Sequence, residues 1–571
     1  MLPATVPSLA VPSPLPFGPV VRLARLTAVA LTAAALLIGC TTDGGVGSLF
    51  FSSGPERELS FDGPADDALL GADDVADLVI EVTASSSDPD ESPAIDDLRL
   101  HLDGEDRTDE AEVTDTTLTW RPGDLEEGER HLAVVSAPDA GGDDEGTDDD
   151  AGEPEAPELL HEWRVTVDTT PPEVELTSPD GVIVGDDPVT VAGVTEPDVV
   201  VRIGDAEVTA DEDGAFSHEL DAVGDDGLEL TATDPAGNTT TLEHAVAHVP
   251  SRVESDEVRA VHVSFHGWLS LREPILEMID AGEINAVQLD IKDEAGEIGY
   301  DSEVPIAEKI GASLGLWDLE EAVAELHALD VPVIGRIVAF ADPALVNWAW
   351  ENDERDWVIQ DADGGPYTGR YDGFSNFAHE DVIAYNIDVA EEAARAGVDH
   401  ILWDYLRRPD GSLENMVFPG LEGTPEEGVV EFTRRADERL APYGIEHGAS
   451  LYGIAADRPT QIGQDVPALA EHLDYVAPMI YPSHWGPGEY GVEDPNRQPY
   501  DIIAATLEVW QETVEGTRAR IVPWLEDTRF RAWDREHQIR EQIRATYDAG
   551  IDEWLMWDPH VDYTRSAYDP R

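Results

Sequence analysis

The chain has 571 residues, more than one hydrophobic core can organise, so several domains are required. Its 122 acidic residues outnumber 34 basic ones for a formal net charge of -88, and a surface of that sign repels nucleic acid and anionic membrane faces. Lys292 and Lys309 are the only lysines, a composition suited to concentrated salt, where the self-repulsion is screened; a melting temperature that rises with salt is the corresponding expectation.

At the N-terminus, Arg22 and Arg25 precede the apolar stretch Leu26 to Ile38, which is shorter than a comfortable bilayer span. Leu37-Ile38-Gly39-Cys40 follows, and Cys40 is the only cysteine, which rules out an intramolecular disulfide and multi-cysteine zinc sites. This arrangement resembles the lipobox of bacterial lipoproteins. The resemblance implies that residues 1–39 are a signal peptide and that Cys40 becomes the lipidated first residue, anchoring an extracytoplasmic protein to the cell membrane. An uncleaved membrane anchor is the alternative. Residues 40–56, rich in Gly and Ser, read as a flexible tether.

Residues 57–168 alternate in the manner of strands, with candidates at Asp77 to Thr83, Asp97 to Asp103, Thr116 to Trp120, His131 to Val135 and Trp163 to Val167. A small antiparallel sandwich is expected there. It is interrupted at 138–157 by an acidic stretch with too few apolar side chains to offset the entropy of ordering, hence a solvated loop rather than a calcium site. Asp168-Thr-Thr-Pro-Pro172 is a stiff joint, because consecutive prolines fix φ and remove amide donors. Residues 169–250 carry a second strand series, from Glu173 to Val246. The joint, together with Asp234-Pro-Ala-Gly-Asn238, resembles bacterial Ig-like modules, which implies spacers or carbohydrate contacts.

From residue 257 to 571 strands alternate with helix-length amphipathic segments, the grammar of parallel βα units. Eight strands are expected: Ala260 to Phe265, Ala286 to Lys292, Pro332 to Phe340, Ile401 to Tyr405, Gly448 to Tyr452, Tyr475 to Tyr481, Arg520 to Leu525 and Glu553 to Trp557. The fold class is therefore multidomain, two all-β Ig-like sandwich modules followed by a C-terminal (β/α)₈ TIM barrel. Such barrels place reacting groups at strand C-termini. Read in order, those ends offer Asp290 and Lys292, Arg336, then Asp404, Tyr405 and Arg407, then Tyr452, Tyr481 and Trp485, then Trp524 and Glu526, and finally Asp558.

Carboxylates, tyrosines and tryptophans dominate this set. Paired carboxylates are what glycosidic cleavage needs, and tryptophan faces suit the apolar faces of sugar rings. There is no phosphate-binding Gly loop, no G-x-S-x-G elbow and no close His pair with metal-ligand spacing, so neither cofactor nor metal is expected.

Asn285-Ala-Val-Gln-Leu-Asp290-Ile-Lys292-Asp293-Glu-Ala-Gly296, Val333-Ile-Gly-Arg336-Ile-Val-Ala-Phe340 and Asp404-Tyr405-Leu-Arg407-Arg-Pro409 together resemble a family of bacterial barrel domains assigned to glycoside hydrolases, once catalogued as a domain of unknown function. The resemblance implies a sugar-polymer hydrolase. Leu406 and Arg408 depart from the family's Val and Phe but lie beside the chemistry.

The leading assignment is Asp404 and Glu526 as the catalytic pair, Asp404 as nucleophile or stabiliser and Glu526 as acid/base, with the other strand-end residues binding substrate. The competing role for Asp404 is a rim ion pair with Arg336 or Arg407; for Asp290 and Lys292, an internal ion pair; for Asp558, a strand-end cap; and for the tyrosines, rim packing. The alternative function is a non-catalytic carbohydrate-binding lipoprotein.

Overall fold

A computed structural model describes residues 49–50, 57–86, 95–136 and 157–570, apart from 186, 225, 226, 256 and 370. The lipobox with Cys40, most of the tether and residues 138–156 of the acidic loop lie outside the described residues. The chain divides into two compact units, one ending at Val167 and the other beginning at Asp168 and including Gly71–Asp73.

The first unit holds two five-stranded sheets. Alternation along Ile80–Ser86, Thr117–Trp120 and Leu159–Val167 turns Ile80, Val82, Leu118, Trp120, Trp163 and Val165 into one shared core. In the second unit, residues 175–249 form sheets of three, four and two strands around Val191, Val201, Ile203, Phe216 and Leu230. The strand pair Val182–Val184 and Ala247–Val249 is an addition to the expected series and seats against the barrel through Val249, Ala394 and Tyr443. Arg252 locks that joint by donating to the carbonyls of Ala394, Val398 and Tyr443, and burial pushes its guanidinium down to about 10.

The barrel strands are β1 (Arg259–Val263), β2 (Ala286–Lys292), β3 (Val333–Val338), β4 (His400–Asp404), β5 (Glu446–Tyr452), β6 (Tyr475–Met479), β7 (Trp524–Glu526) and β8 (Trp554–Trp557). They are parallel and in sequence order, and β1 pairs with both β2 and β8, which closes the cylinder. Pro523, which has no N–H to give, separates β7 from its preceding piece Arg520–Ile521. The main helices are α1 (Phe265–Asp280), α2 (Leu319–His327), α3 (Pro343–Glu351), α4 (Glu380–Arg395), α5 (Pro425–Leu440), α6 (Val466–Ala470), α7 (Pro499–Val514) and α8 (Arg535–Asp548). Side-chain caps start most of them: Ser264, Asp318, Asp342, Thr424 and Asp534 each accept from an amide of the first turn. The sequence reading did not anticipate the excursion after β2, in which Ile298–Tyr300 turns back antiparallel to β2 and pairs with Ser313–Trp317.

Inward positions recur every second residue along a strand. Ala260, Ala286, Ile334, Leu402, Ala477, Trp524 and Leu555 pack the lower barrel as an apolar plug. Two to four residues further on, the inward side chains turn polar: Ala260 gives way to His262, Ala286 to Gln288 and Asp290, Ile334 to Arg336, and Leu402 to Asp404. The plug excludes water from below, and the polar layer faces the mouth formed by the strand C-termini.

Candidate active site

Arg336 organises this layer. Its Nε and Nη2 donate to Asp404 Oδ2 at 2.9 and 2.7 Å, its Nη1 donates to Asp290 Oδ1 at 2.9 Å, and Nη2 also pairs with Glu294. One guanidinium thus serves three carboxylates, using the planar fork that Lys lacks. Asp290 receives His262 Nε2 at 3.0 Å and Gln288 Nε2 at 3.3 Å as well. Burial alone would raise the Asp290 carboxyl, but the charges of His262 and Arg336 hold it well below the usual carboxylate range. Asp290 therefore stays ionised.

Asp404 ends β4, where its other oxygen, Oδ1, accepts from the Tyr405 amide at 2.7 Å. Tyr405 has φ 49°, a left-handed conformation that costs a non-glycine residue free energy and is tolerated where the surroundings over-determine it. The turn aims the carboxylate at the mouth and holds it on both oxygens. Tyr405 and Tyr481 both sit within the field of Asp404; burial, then that charge, push both phenols far up, so each is a neutral hydroxyl.

Other expected site residues land elsewhere. Lys292 was expected on the same strand face as Asp290, but the β2 and β3 register shifts between them. That bulge re-aims the side chain, and the fully buried ammonium donates to Asp342 Oδ2 at 2.9 Å and Asn386 Oδ1 at 2.7 Å, beneath the Tyr385 ring. Lys292 is a buried brace outside the mouth. Arg407 is 1% exposed and enclosed by the rings of Tyr371, Phe374, Tyr405 and Tyr452, with Nη2 donating to Tyr452 Oη at 3.0 Å. Substrate cannot reach it without moving those rings.

The two tryptophans expected to stack on sugar are both interior. Trp524 belongs to the apolar plug and donates to Ser450, and Trp485 packs on Tyr490 with its indole N–H on the Ile480 carbonyl. Trp557 and Phe530 instead line a cleft of about 530 Å³ with Ser483, His484, Thr528 and Asp558, and Tyr481 stacks on Trp557 at 5.3 Å. Asp558 itself accepts the amides of His560 and Asp562, the strand-end cap that competed with substrate binding. A larger cavity of about 760 Å³ lies on the barrel flank, lined by Tyr300, Trp317, Glu320, Asp388 and Glu391, away from the strand C-termini.

Glu526 ends β7 with both oxygens engaged. Oε1 accepts from the Ser483 amide at 2.6 Å, and Oε2 from the Ser483 and Thr528 hydroxyls at 2.7 and 3.0 Å. Burial raises its carboxyl despite these donors. It staples the turn after β6 to β7.

His262 and Glu294 were not among the expected site residues. His262 lies within β1, and Glu294 sits in a turn between Asp293 and Ala295; neither position announces itself in a linear reading. The period-2 projection of Ala260 onto His262 was the available signal.

A family model described as "Putative glycosyl hydrolase domain" matches residues 260–563, more than half of the chain. The chain belongs to this glycosyl hydrolase family. Membership makes the barrel domain a glycoside hydrolase and carbohydrate its substrate class. No curated protein matches the chain. Among solved structures, a hypothetical protein from Ruminiclostridium thermocellum is 27% identical over 33% of this chain and 96% of its own, with a TM-score of 0.30. The PgaB (BpsB) glycoside hydrolase domain from Bordetella bronchiseptica is 16% identical over 53% and 94%, with a TM-score of 0.39. The α-galactosidase TtGalA from Thermus thermophilus is 13% identical over 90% and 91%, with a TM-score of 0.35.

Proposed function

We propose that the protein is an extracytoplasmic glycoside hydrolase, tethered to the bacterial membrane by a lipid on Cys40, that cleaves a poly- or oligosaccharide with Asp404 as nucleophile or stabilising carboxylate. The observation that carries this reading is the Asp404 carboxylate itself. It stands at the C-terminal end of β4, held by two Arg336 nitrogens and the Tyr405 amide. Such donors hold a carboxylate aligned, as an oxocarbenium-like transition state requires. Arg336, Asp290 and His262 form the support, Tyr481 and Tyr405 offer neutral hydroxyls to the sugar, and Trp557 with Phe530 offers ring faces in the adjoining cleft.

Glu526, expected as the acid/base, is held by the Ser483 amide and by the Ser483 and Thr528 hydroxyls, which supports a structural role for it between the turn after β6 and β7. Residues 57–168 and 169–250 serve as Ig-like spacers carrying the hydrolase domain, residues 257–571, away from the membrane.

The test is Asp404→Asn, assayed by reducing-sugar release from a panel of bacterial and plant polysaccharides and by 2,4-dinitrophenol release from α- and β-glycosides. Loss of roughly a thousandfold or more in kcat/KM is expected. A variant that retains wild-type hydrolysis sinks the assignment, and glycan binding without turnover by the wild type would mark a carbohydrate-binding protein instead. Globomycin-sensitive processing and [³H]palmitate incorporation that depends on Cys40 test the anchor.

A further inference from the structure

Three carboxylates share the Arg336 guanidinium, and they differ in one respect. The side chains of Asp290 and Asp404 are 3% and 10% exposed, whereas that of Glu294 is 50% exposed. Glu294 Oε1 and Asp404 Oδ2 both take a hydrogen bond from the same atom, Arg336 Nη2. Two oxygens bound to one nitrogen lie no more than two hydrogen-bond lengths apart, roughly 6 Å. In retaining glycosidases the two carboxyl groups stand about 5–5.5 Å apart, and in inverting ones about 6.5–9.5 Å.

Glu294 is also presented by a built turn. Asp293 Oδ1 accepts the amides of Ala295 and Glu297 at 2.9 and 3.0 Å, and the Gly296 amide donates to the Asp293 carbonyl at 3.0 Å. Gly296 has φ 77°, and a Cβ there would collide with the Asp342 carboxylate, which is itself fixed by Lys292. The turn is therefore seated on a buried ion pair, with Glu294 at its tip over the mouth.

We infer that Glu294 is the second catalytic carboxylate, the acid/base partner of Asp404, and that hydrolysis proceeds with retention of anomeric configuration. The inference rests on the hydrolase reading of Asp404 above. Of the three carboxylates, Glu294 is the one that solvent reaches.

In the first step Glu294 gives its proton to the glycosidic oxygen, the bond from that oxygen to C1 breaks, and an Asp404 oxygen forms an ester bond to C1. In the second step Glu294 takes a proton from water, the water oxygen bonds to C1, and the ester bond breaks to return the Asp404 carboxylate. Atoms and charge balance, with water as the only co-reactant.

The experiment compares Glu294→Ala, Glu526→Ala and Asp404→Asn with the wild type on a panel of 2,4-dinitrophenyl α- and β-glycosides and on the unactivated polysaccharide that the wild type degrades. An acid/base variant should lose roughly 10²–10⁴-fold on the polysaccharide, whose leaving group needs a proton. It should lose far less in the first, glycosylation step with dinitrophenyl substrates, and sodium azide should restore turnover by forming a glycosyl azide of retained configuration. Proton NMR of the first-formed sugar should show the substrate's anomer.

Azide rescue in Glu526→Ala but not in Glu294→Ala, or an inverted first product, overturns the assignment while leaving Asp404 in place. Undiminished activity in Asp404→Asn, or no turnover by the wild type on any member of either set, brings down the hydrolase reading itself. Glu294→Gln, which keeps the turn and the length of the side chain, guards against a folding defect: full polysaccharide activity in that variant also overturns the assignment.

Discussion

Two ion clusters grow from neighbouring residues of β2, and they are built on opposite principles. Lys292, Asp342 and Asn386 form a closed set, 0% exposed, in which Asp342 also caps α3 and the ammonium has its acceptors. Arg336 with Asp290, Asp404 and Glu294 forms an open set, in which one carboxylate reaches solvent. A closed pair is a brace: its groups have nothing left for a ligand. An open set at a strand end keeps a carboxylate within reach of a ligand in the barrel mouth. The same contrast separates Glu526, whose oxygens are taken by Ser483 and Thr528, from Glu294.

Breaking the open set should have the largest effect. Arg336→Met leaves Asp290 buried with only His262 and Gln288 and frees Asp404 from its fork, so activity should fall by roughly a thousandfold or more and stability by about 3–5 kcal/mol. Its pH signature follows from Asp290. A carboxyl held below its unfolded value stabilises the protein above the ordinary aspartate range, near 4, and that contribution is lost as pH falls through the folded value. Denaturant melts from pH 3 to 7 should therefore show the wild-type advantage over Arg336→Met growing with pH and then levelling.

Lys292→Met tests the closed set. It removes one partner of a buried pair and should cost about 3–5 kcal/mol in denaturant unfolding. Because the Glu294 turn rests on Asp342, activity on the polysaccharide should fall as well, by more than activity on dinitrophenyl glycosides. Glu526→Gln should cost about 1–3 kcal/mol, because it keeps the shape but presents an amide to the Ser483 donors. Its polysaccharide activity should stay within about tenfold of the wild type, since a staple and not a proton donor is lost.

The smallest effect is expected at Asp293, which burial pushes up to about 6. A carboxyl raised in the folded state favours folding below its unfolded value, near 4, and this advantage is lost as pH rises past about 6. Asp293→Asn keeps Oδ1 for the Ala295 and Glu297 amides and carries no charge. It should melt with the wild type below pH 4 and above it at pH 8, a difference that scanning calorimetry at the two pH values resolves.

The barrel was legible in the chain because each strand is a short apolar run and each helix an amphipathic one, patterns that local physics imposes. β2 was anticipated to the residue, and β5 and β8 to within two. β7 was not, since Pro523 divides a run that hydrophobicity alone reads as continuous. Asp404, Arg336 and Asp290 were visible as polar residues interrupting apolar strands, where a charge has no cheap structural reason to be. The sequence by itself determined the eight-strand alternation, the acidic surface and the ring of polar residues at strand ends.

Which of those polar groups remain open was decided only in three dimensions. A one-residue bulge turned Lys292 out of the barrel and away from Asp290. Aromatic rings from three segments closed over Arg407, Trp485 and Trp524 turned into packed interiors, and a turn resting on Asp342 carried Glu294 to Arg336. The reason is physical: periodicity reports which face a side chain takes, whereas its partners and its access to solvent depend on loops tens to hundreds of residues away, and these decide whether a charged group is a buried brace or reaches the mouth.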